Sequence, residues 1–309
     1  MSVYSDFPSF QAVHKRCVAT IGKYDGLHSG HQHVLATLCR TAKARGLPAV
    51  VILSEPHPEE FFSGGKAAPR LTQFQDKVDY LLAYGVDAVY MMTFDKALCE
   101  LGAKDFIVQY LVEGLRVSAL IVGDDFRFGK NRNGDFQMLK EKGSEHGFEV
   151  IREIPFKQEG HRVSSTLVRS FLEQGECEKV RSLLGRYYSI GGMVEEGKKL
   201  GRELGTPTAN IALSVNSLPL HGIFSVLVEY KGQTLPGVAS VGFNPTVENS
   251  ETPKLEVHIF DFNEDIYGEH LVVSFINKIR DEFTFTDLNA LKIQMNIDIE
   301  QARKTLQSL

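Results

Sequence analysis

The sequence is poor in cysteine and lacks any long hydrophobic run. Its four cysteines are far apart, without a Cys-x-x-Cys pair, at positions Cys17, Cys39, Cys99 and Cys177. We therefore expect neither a structural zinc site nor a disulfide framework, and a reducing cytoplasm fits best. Nowhere do about 18 apolar residues follow one another, and residues 1–10 hold no apolar core of signal-peptide length. Membrane insertion and export are not expected.

A strong positive charge is also absent. Against 39 Asp and Glu stand 34 Lys and Arg, which gives a net charge of -5. This balance argues against a broad nucleic-acid-binding face, so any recognition of phosphate must be local. What is present is the composition of an ordinary globular protein, 43% hydrophobic and 24% charged, over 309 residues. A chain of this length favours two domains.

The first half of the chain alternates short apolar runs with helical patterns. The apolar runs predict strands at 17–21, 49–53, 88–92, 119–122 and 149–154, and the helical patterns lie between them at 34–44, 73–84, 103–113 and 136–147. This alternation is the signature of a doubly wound parallel sheet. Ligands of such sheets bind at the carboxyl ends of the strands, so we expect a site in the loops that follow them.

The pattern changes after two short helical segments that end near residue 184. Five β-rich runs separated by glycine and proline turns follow, at 187–194, 223–230, 235–241, 255–262 and 270–279. They predict a small antiparallel barrel, followed by a final helix whose apolar residues pack against it. The sequence therefore predicts an α/β domain at 1–184 and a β domain at 185–309.

Residues 22–33 are the most informative stretch, because they join a hydrophobic run to a helical pattern. Gly22 and Gly30 let the backbone approach an anion closely, and His28 and His31 can donate hydrogen bonds near the positive end of the following helix. Two histidines three residues apart are also compatible with zinc ligation or with a plain surface position. Their place after a strand and before a helix favours a phosphate site of the nucleotidylyltransferase type.

Two further stretches hold groups suited to an anionic ligand. Ser164 and Ser165 open a helix, and Arg169 lies four residues beyond Ser165 on the same face. Hydroxyls at such places are usually helix caps, and a second phosphate clamp is the alternative. The loop 123–129 sets Arg127 between two phenylalanines, where it can pair with a nearby aspartate or with a substrate phosphate.

These stretches, together with Glu-Pro-His-Pro at 55–58, resemble the FMN adenylyltransferase half of bacterial bifunctional riboflavin kinase/FAD synthetases. The second half is similar to the riboflavin kinase module of that family in its motifs at 201–210, 242–246, 256–262 and 265–268. The motifs stand in the expected order from about Val18 to Ala302. The resemblance implies a nucleotidylyltransferase domain at 1–184 and a riboflavin kinase domain at 185–309.

For the first domain the resemblance implies attack by an FMN phosphate oxygen on the α-phosphorus of ATP. That phosphate is already anionic near neutral pH, so positioning and charge neutralisation matter more than a strong base. His28 and His31 would hold the ATP phosphates, and Ser165 and Arg169 would stabilise the departing pyrophosphate. Further implied contacts are Gly22, Asp25 and Gly30 for ATP and Asp125, Arg127 and Phe128 for the flavin.

For the second domain the resemblance implies phosphate transfer from ATP to the ribityl hydroxyl of riboflavin, which needs a carboxylate base. Glu256 is the candidate, because it lies between apolar neighbours in a β-run; a plain outward position on the strand is the alternative. Thr208 and Asn210 project to one side of an extended segment and suit either Mg²⁺ or an ordinary turn. Further implied contacts are Gly201, Arg202 and Gly205 for ATP and Asn244 and Thr246 for the flavin.

The sequence departs from the usual family pattern at three positions. Lys23 and Tyr24 stand where the family more often has asparagine and phenylalanine, and Thr206 replaces a bulky residue before a proline. Two other assignments have structural alternatives, since Asp25 also suits a turn and Phe128 also suits a core. These positions decide how closely the family's contacts transfer to this chain.

We therefore expect a cytoplasmic enzyme whose ligands are ATP, riboflavin, FMN and Mg²⁺, without a nucleic-acid or membrane partner; protein partners are not predicted. One rival hypothesis is a nucleotidylyltransferase that acts on another phosphorylated substrate, with the barrel as a specificity domain. It leaves Glu256, Thr208 and Asn210 without a task. A second rival, from a different class, is a flavin-binding regulatory or storage protein without turnover.

Overall fold

The structure, a computed structural model, describes residues 2–64, 66–158, 160–197, 205–213, 218–245, 251–285 and 287–309. The chain forms two compact units, one from Met1–Ala68 and Phe74–Val163 and the other from Pro69–Gln73 and Ser164–Leu309. By compactness, residues 164–184 therefore group with the second unit. The expected division of the two activities at residue 184 stays a prediction.

The first unit is built on a parallel sheet. Its strands are β1 Val3–Tyr4, β2 Cys17–Ile21, β3 Ala49–Glu55, β4 Ala88–Thr93, β5 Val117–Gly123 and β6 Glu149–Glu153. They pair in parallel in the order β1–β4–β3–β2–β5–β6. Since β2 lies between β3 and β5, the loops after these three strands meet at one edge of the sheet. A short antiparallel pair, β7 Lys157–Gln158 and β8 His161–Arg162, follows.

Both faces of this sheet are covered, because successive strand residues enter two separate apolar cores. Cys17 and Ala19 belong to one core and Val18 to the other, as the period of two requires. The α-helices described in this unit are α1 Phe7–Val13, α2 Ser29–Arg45, α3 Pro58–Ser63, α4 Phe74–Ala83, α5 Lys96–Glu100, α6 Ala103–Phe106 with a π-helical continuation Ile107–Gly114, and α7 Phe136–His146. Residues of α2 and α4 fill one core, and residues of α1 and α7 fill the other. The predicted doubly wound sheet is confirmed.

The second unit is built on a closed antiparallel barrel. Its strands are β9 Tyr188–Glu195, β10 Ala209–Ile211, β11 Gly222–Tyr230, β12 Gln233–Pro245, β13 Glu251–Ile259 and β14 His270–Arg280. They close in the order β10–β13–β12–β11–β14–β9, with β9 pairing to β10. Closure leaves no unpaired sheet edge. The predicted barrel is confirmed, with β10 as a strand that the sequence pattern did not indicate.

Among its described residues the second unit also has the helices α8 Ser165–Glu173, α9 Cys177–Leu184 and α10 Leu288–Gln307. α9 buries Cys177, Val180 and Leu184 and packs on β9 and β14. α10 packs against β11, β12 and β14, as expected. Its apolar pattern serves this contact only in part, because Ile293 and Ile297 are exposed. Across the described residues, no helix combines the length and the apolar character that crossing a membrane requires.

Candidate active sites

The loop between β2 and α2 is shaped by glycines that make room for rings. Gly26 has a φ of 85°, which residues other than glycine rarely adopt. A Cβ at Gly30 would lie 3.1 Å from His28 Nδ1, and one at Gly22 would lie 3.0 Å from the Tyr24 ring. Gly22 and Gly30 therefore accommodate side chains of their own loop, and their contact with ATP stays a prediction.

His28 and His31 lie together at the N-terminus of α2, where His28 is the N-cap. Their rings stack, with centroids 3.7 Å apart and planes inclined by 14°. The backbone N–H of His31 donates to His28 Nδ1 at 3.2 Å, so this nitrogen accepts and a neutral His28 holds its proton on Nε2. The helix terminus thus orients one imidazole N–H for donation to an anion.

Both imidazoles are neutral near pH 7. Burial lowers the pKa of His28 to about 4, and the charge of Arg162 acts in the same direction. Burial also lowers the pKa of His31 well below its ordinary value, with the charges of Lys77 and Lys23 as further causes. Two stacked imidazolium rings would repel each other, which agrees with this result. The pair is therefore suited to bind phosphate by hydrogen-bond donation, while lysines supply the positive field.

One nitrogen of this pair has an unfilled hydrogen-bonding capacity. Within the described part of the chain, His31 Nδ1 is buried and has no hydrogen-bond partner. Buried polar atoms nearly always have one. A phosphate oxygen that accepts from this nitrogen would satisfy it.

The sequence did not indicate a buried lysine, Lys77, whose charge acts on His31. Lys77 is 1% exposed, and its Nζ lies 3.0 Å from His57 Nε2. A signal was present, because Lys77 precedes the buried Leu81 by four residues and so shares the buried face of α4. Since the Lys77 charge helps to lower the pKa of His31, this lysine contributes to the electrostatics of the predicted phosphate site.

A cavity of about 1300 Å³ opens at the carboxyl ends of the parallel strands. Three loops contribute to its wall, as the sequence predicts: Gly22 follows β2, Ser54 and Pro58 lie at the end of β3, and 125–129 follow β5. The wall also holds aromatic and basic side chains, among them Phe62, Phe94, Lys23, Lys66, Lys130 and Arg132. A space of this size, with aromatic walls and basic groups, suits a large planar ligand that carries an anion.

The three flavin contacts predicted for the first domain, Asp125, Arg127 and Phe128, all line this cavity. Asp125 accepts a hydrogen bond from Arg162 at 2.6 Å. Arg127 is exposed, and its Nη1 donates to the carbonyl of Phe126 at 3.0 Å. Phe128 is buried in the core and stacks on Phe126, with ring centroids 5.5 Å apart. The core position of Phe128 and its place in the cavity wall are therefore compatible.

Ser165 and Arg169 belong to the second compact unit. Ser164 is the N-cap of α8, and its hydroxyl accepts from the Leu167 N–H at 3.3 Å, as the cap interpretation predicts. The Nε of Arg169 donates to the carbonyl of Pro69 at 2.6 Å. The assignment of Ser165 and Arg169 to the ATP phosphates stays a prediction.

A second cavity, of about 300 Å³, lies between the barrel wall and α10. Alternate residues of β13, namely Lys254, Glu256 and His258, line it, whereas Leu255 and Val257 are buried. Glu256 thus points outward from the strand, as the alternative interpretation has it. It nevertheless faces a cavity that residues of α10 also line, so its carboxylate could meet a substrate bound there.

Thr208 and Asn210 line the same cavity as Glu256. Asn210 and Glu256 are register partners on β10 and β13, which makes their side chains neighbours. Gly197 packs against Asn210, since a Cβ there would overlap the carboxamide. The structure therefore brings the predicted base and both predicted metal ligands together. No group of three or more His, Cys, Asp or Glu among the described residues could hold a metal ion, so Mg²⁺ here would depend on neutral oxygens and nucleotide phosphates.

Two ion pairs in this cavity were missed from the sequence. Lys254 pairs with Glu256. Arg280 donates to Asp298 through Nε at 2.9 Å and Nη2 at 2.7 Å, and its guanidinium lies 4.4 Å over the Phe283 ring. The spacing of two residues between Lys254 and Glu256 could have indicated the first pair. The second joins β14 to α10 and has no local sequence signal.

Several predicted contacts are not described. Gly201, Arg202 and Thr246 lie outside the described residues, so their ATP and flavin assignments stay predictions. Gly205 has a φ of 84°, which requires glycine in this turn whether or not ATP binds there. Asn244 lies in β12, and its contact with the flavin also stays a prediction.

Two protein-family models match successive parts of the chain. The family model for FAD synthetase matches residues 10–167, and the model for riboflavin kinase matches residues 184–306. A bifunctional riboflavin kinase/FMN adenylyltransferase of Pseudomonas fluorescens is 43% identical over 290 residues, which cover 94% of this chain and 93% of the relative. That of Escherichia coli K12 is 43% identical over 295 residues, which cover 95% and 94%. This chain belongs to the bifunctional riboflavin kinase/FMN adenylyltransferase family.

A solved structure named as a macrolide-efflux protein from Streptococcus pneumoniae has a similar fold. It is 29% identical in sequence, with a TM-score of 0.80, and the likeness covers 97% of this chain and 98% of that one. The similarity in fold to that structure therefore extends along nearly the whole chain.

The structure accounts for two departures from the usual family sequence and locates the third. The hydroxyl of Tyr24, which phenylalanine would lack, is buried and shares a hydrogen bond of 2.7 Å with Thr20 Oγ1. Lys23 lies in the wall of the large cavity. Thr206 is buried, and its Oγ1 lies 3.9 Å from the Sδ of Met295 on α10. Tyr24 and Thr206 are thus accommodated by internal contacts.

Proposed function

We propose that this chain makes FMN from riboflavin and ATP at the barrel cavity, and FAD from FMN and ATP at the parallel sheet. The observation that supports this most directly is that Glu256, Thr208 and Asn210 share one cavity in a chain of this family. The stacked pair of neutral histidines at the start of α2 supports the second step.

In the first step the 5′-hydroxyl oxygen of riboflavin attacks the terminal phosphorus of ATP. A new O–P bond forms, the bond from that phosphorus to the bridging oxygen of ADP breaks, and ADP leaves. Because the hydroxyl is a poor nucleophile while it keeps its proton, a base must lie beside it. Glu256 accepts this proton, since its carboxylate faces the cavity in which the hydroxyl would bind.

Mg²⁺ is part of this proposal. Thr208 and Asn210 would hold it, because they offer uncharged oxygens in the same cavity and Mg²⁺ commonly combines a few protein oxygens with phosphate oxygens and water. When bound, the ion neutralises charge on the phosphates during transfer. The remaining positive charge near the reacting groups comes from the protein.

In the second step an oxygen of the FMN phosphate attacks the α-phosphorus of another ATP molecule. The bond from that phosphorus to the β-phosphate oxygen breaks, and pyrophosphate leaves with the negative charge. The Nε2–H of His28 donates a hydrogen bond to the ATP phosphates and an N–H at Nδ1 of His31 donates another, while Lys77 adds a positive field. Ser165 and Arg169 are proposed to stabilise pyrophosphate.

The flavin ring of FMN would occupy the cavity of about 1300 Å³ in the first unit. Phe62, Phe94 and Phe128 supply aromatic surface for an isoalloxazine ring, and Arg127 supplies a cation for the phosphate. Phe62 is 66% exposed, so a bound ring would cover apolar surface that water now contacts. This gain favours flavin over a non-aromatic phosphorylated substrate.

We assign the protein to the cytoplasm, with small molecules as its ligands. All four cysteines are free thiols, and two of them, Cys17 and Cys177, are buried. Chains without disulfides are typical of reducing compartments. Its ATP and flavin substrates belong to the same aqueous compartment in this proposal.

The test is incubation of purified protein with riboflavin, ATP and Mg²⁺, followed by chromatographic separation of the flavins. FMN should form first and FAD should follow, and supplied FMN should yield FAD with release of pyrophosphate. FAD from supplied FMN without any FMN from riboflavin would contradict the kinase assignment. Binding of flavin with no product at all would favour a non-catalytic flavin carrier.

A further inference from the structure

Lys254 lines the barrel cavity and has no task in the two reactions as written above. It lies two residues before Glu256 on β13, so both side chains leave the strand on the same face. Their ammonium and carboxylate form an ion pair, with side chains 33% and 30% exposed. The carboxylate proposed as the base therefore has a positive charge in direct contact.

The chemistry of phosphate transfer gives that charge a use. A base must lie about 3 Å from the hydroxyl oxygen, and the attacked phosphorus must lie about 3–3.5 Å from the same oxygen. The carboxylate and the terminal phosphate are thus brought within a few ångströms of each other although both are anions. An ammonium has three N–H donors, so one can bind the carboxylate while another binds the phosphate.

The other strong cation of the cavity is not placed for this purpose. Of the described residues that line the cavity, two are lysine or arginine. Arg280 is fixed to Asp298 by two donors and stacks on Phe283, which ties it to α10. Lys254 contacts Glu256 itself and has a flexible stem that lets its ammonium follow a phosphate.

We infer that Lys254 positions the terminal phosphate of ATP beside Glu256 in the riboflavin kinase reaction. This inference rests on the proposed function and adds a residue to it. Lys254 bridges the carboxylate and the terminal phosphate, offsets their repulsion and directs the phosphorus towards the hydroxyl. ADP lacks the terminal phosphate, so the contribution of Lys254 to binding applies to ATP and not to ADP.

The test uses the full chain with Lys254→Gln and Lys254→Arg. Total FMN plus FAD formed from riboflavin gives kcat and the KM for ATP, and product inhibition gives the inhibition constant of ADP. We expect Lys254→Gln to raise the KM for ATP and to lower kcat, each about tenfold, with the inhibition constant of ADP within about twofold of the parent. Lys254→Arg should recover most of the ATP affinity because it keeps the charge.

Lys231→Gln is the matched control, since Lys231 forms an exposed ion pair with Glu269 at 2.8 Å and does not line the cavity. It should keep the parent kcat and KM. Unchanged kinetics in Lys254→Gln would overturn the inference, and so would an equal loss of affinity for ATP and ADP, which indicates a damaged cavity. Faster turnover in Lys254→Gln would also overturn it, because Lys254 would then only restrain the base.

The proposed function and this inference fail in different ways. A parent chain that forms no FMN overturns the function before any variant is made. A fully active Glu256→Gln variant overturns the base, yet the dependence of the KM for ATP on Lys254 would still be measured in the same assay. Only selective loss of ATP affinity in Lys254→Gln supports the bridging role.

Discussion

At the scale of single residues, the two candidate sites handle negative phosphate in different ways. In the first unit, burial lowers the pKa of both His28 and His31, so the neutral rings are suited to donate hydrogen bonds to a phosphate. In the barrel, Lys254 contacts Glu256, the carboxylate proposed to receive the proton. The difference follows from the chemistry, because a phosphate nucleophile needs no base whereas a hydroxyl does. Single substitutions should therefore separate the two activities.

Glu256→Ala should abolish FMN formation while FAD formation from supplied FMN continues. Loss of a positioned base typically costs about 10²–10⁴-fold in rate, and Glu256 has no place in the first unit. Both reactions can be followed by separating the flavins after incubation with ATP. Glu269→Ala serves as the control, because this exposed glutamate also pairs with a lysine on the barrel surface. Riboflavin phosphorylation near the parent rate in Glu256→Ala would remove Glu256 as the base.

His28→Asn should change both FAD formation and the pH dependence of stability. The pKa of His28 is about 4 in the folded chain and near 6.5 in the unfolded chain. Between these values the unfolded state binds more protons, so the parent loses stability as the pH falls from 6.5 to 4. This slope should decrease in the variant, by up to about 1.4 kcal/mol per pH unit.

Denaturant unfolding of the first unit at several pH values would measure this slope. Asparagine is a good N-cap, so α2 should keep its start, and any loss of FAD formation would then reflect the missing imidazole. FMN formation from riboflavin is the internal control. If the stability of the variant depends on pH as steeply as that of the parent, His28 has the same pKa in the folded and the unfolded chain.

The sequence indicated the residues that act through local spacing. His28 and His31 share one helix turn, and Thr208 and Asn210 share one side of an extended segment, so their meeting could be predicted. Lys77 could not be placed in the same way, because its contact with His57 depends on how α4 packs on the sheet. Lysine is rarely buried unless it is paired, and the sequence alone does not show its partner in the folded chain.

At the scale of elements, the barrel cavity depends on α10 as much as on β13. The strand turns Glu256 outward by its period of two, and the helix covers that face with Leu291, Met295 and Ile299. The pair Arg280–Asp298, with side chains 18% and 5% exposed, links α10 to the neighbouring strand β14. The position of the helix is therefore fixed by a polar contact within a mostly apolar interface.

Asp298→Asn should loosen α10 and weaken riboflavin phosphorylation. Removing one partner of a buried ion pair commonly costs about 3–5 kcal/mol, and the partial exposure of Arg280 places this site near the lower end. Asp261→Asn is the control, since it breaks the pair of Asp261 with Arg303 on the exposed surface. Thermal unfolding should shift clearly in the first variant and little in the second. Equal shifts would mean that the pair does not fix α10.

Most elements could be predicted, and the exceptions have physical reasons. The strands and helices that were predicted in the first unit follow strong apolar periodicity, and the structure extends several of them by a few residues. It also has β1, α1, α3 and α5, which are short and were not predicted. β10 has only three residues, Ala209–Ile211, too few to show a period of two. The apolar positions of α10 suggested one buried face, yet Ile293 and Ile297 are exposed while Met295 lines the cavity. When apolar residues occur all around a helix, the sequence pattern alone cannot tell which of them are buried.

At the scale of the whole molecule, the compact units and the family matches divide the chain differently. The FAD synthetase match ends at residue 167 and the riboflavin kinase match begins at 184, whereas the second compact unit begins at Ser164. The helix α9 lies between the two matches and packs on the barrel. The compact unit therefore includes α9, which packs on the barrel strands β9 and β14 without lining the barrel cavity.

Two fragments, Ser164–Leu309 and Gly185–Leu309, should show whether residues 164–184 are needed for kinase activity or only for stability. Both retain Glu256 and the other described residues of the barrel cavity, so both should form FMN, and neither should form FAD because both lack His28 and His31. The shorter fragment loses the buried face of α9. At about 1.5–3 kcal/mol for each large apolar side chain that is fully buried, this loss should destabilise it by several kcal/mol.

Denaturant unfolding compares the stability of the two fragments directly. Both lack Pro69–Gln73, so that segment does not contribute to the difference between them. The longer fragment should have the higher midpoint and the slower loss of kinase activity on heating. Equal midpoints would show that α9 adds nothing to the barrel. FAD synthesis by either fragment, with contamination by the full chain excluded, would place the adenylylation chemistry outside the parallel-sheet unit and overturn the assignment of both histidines.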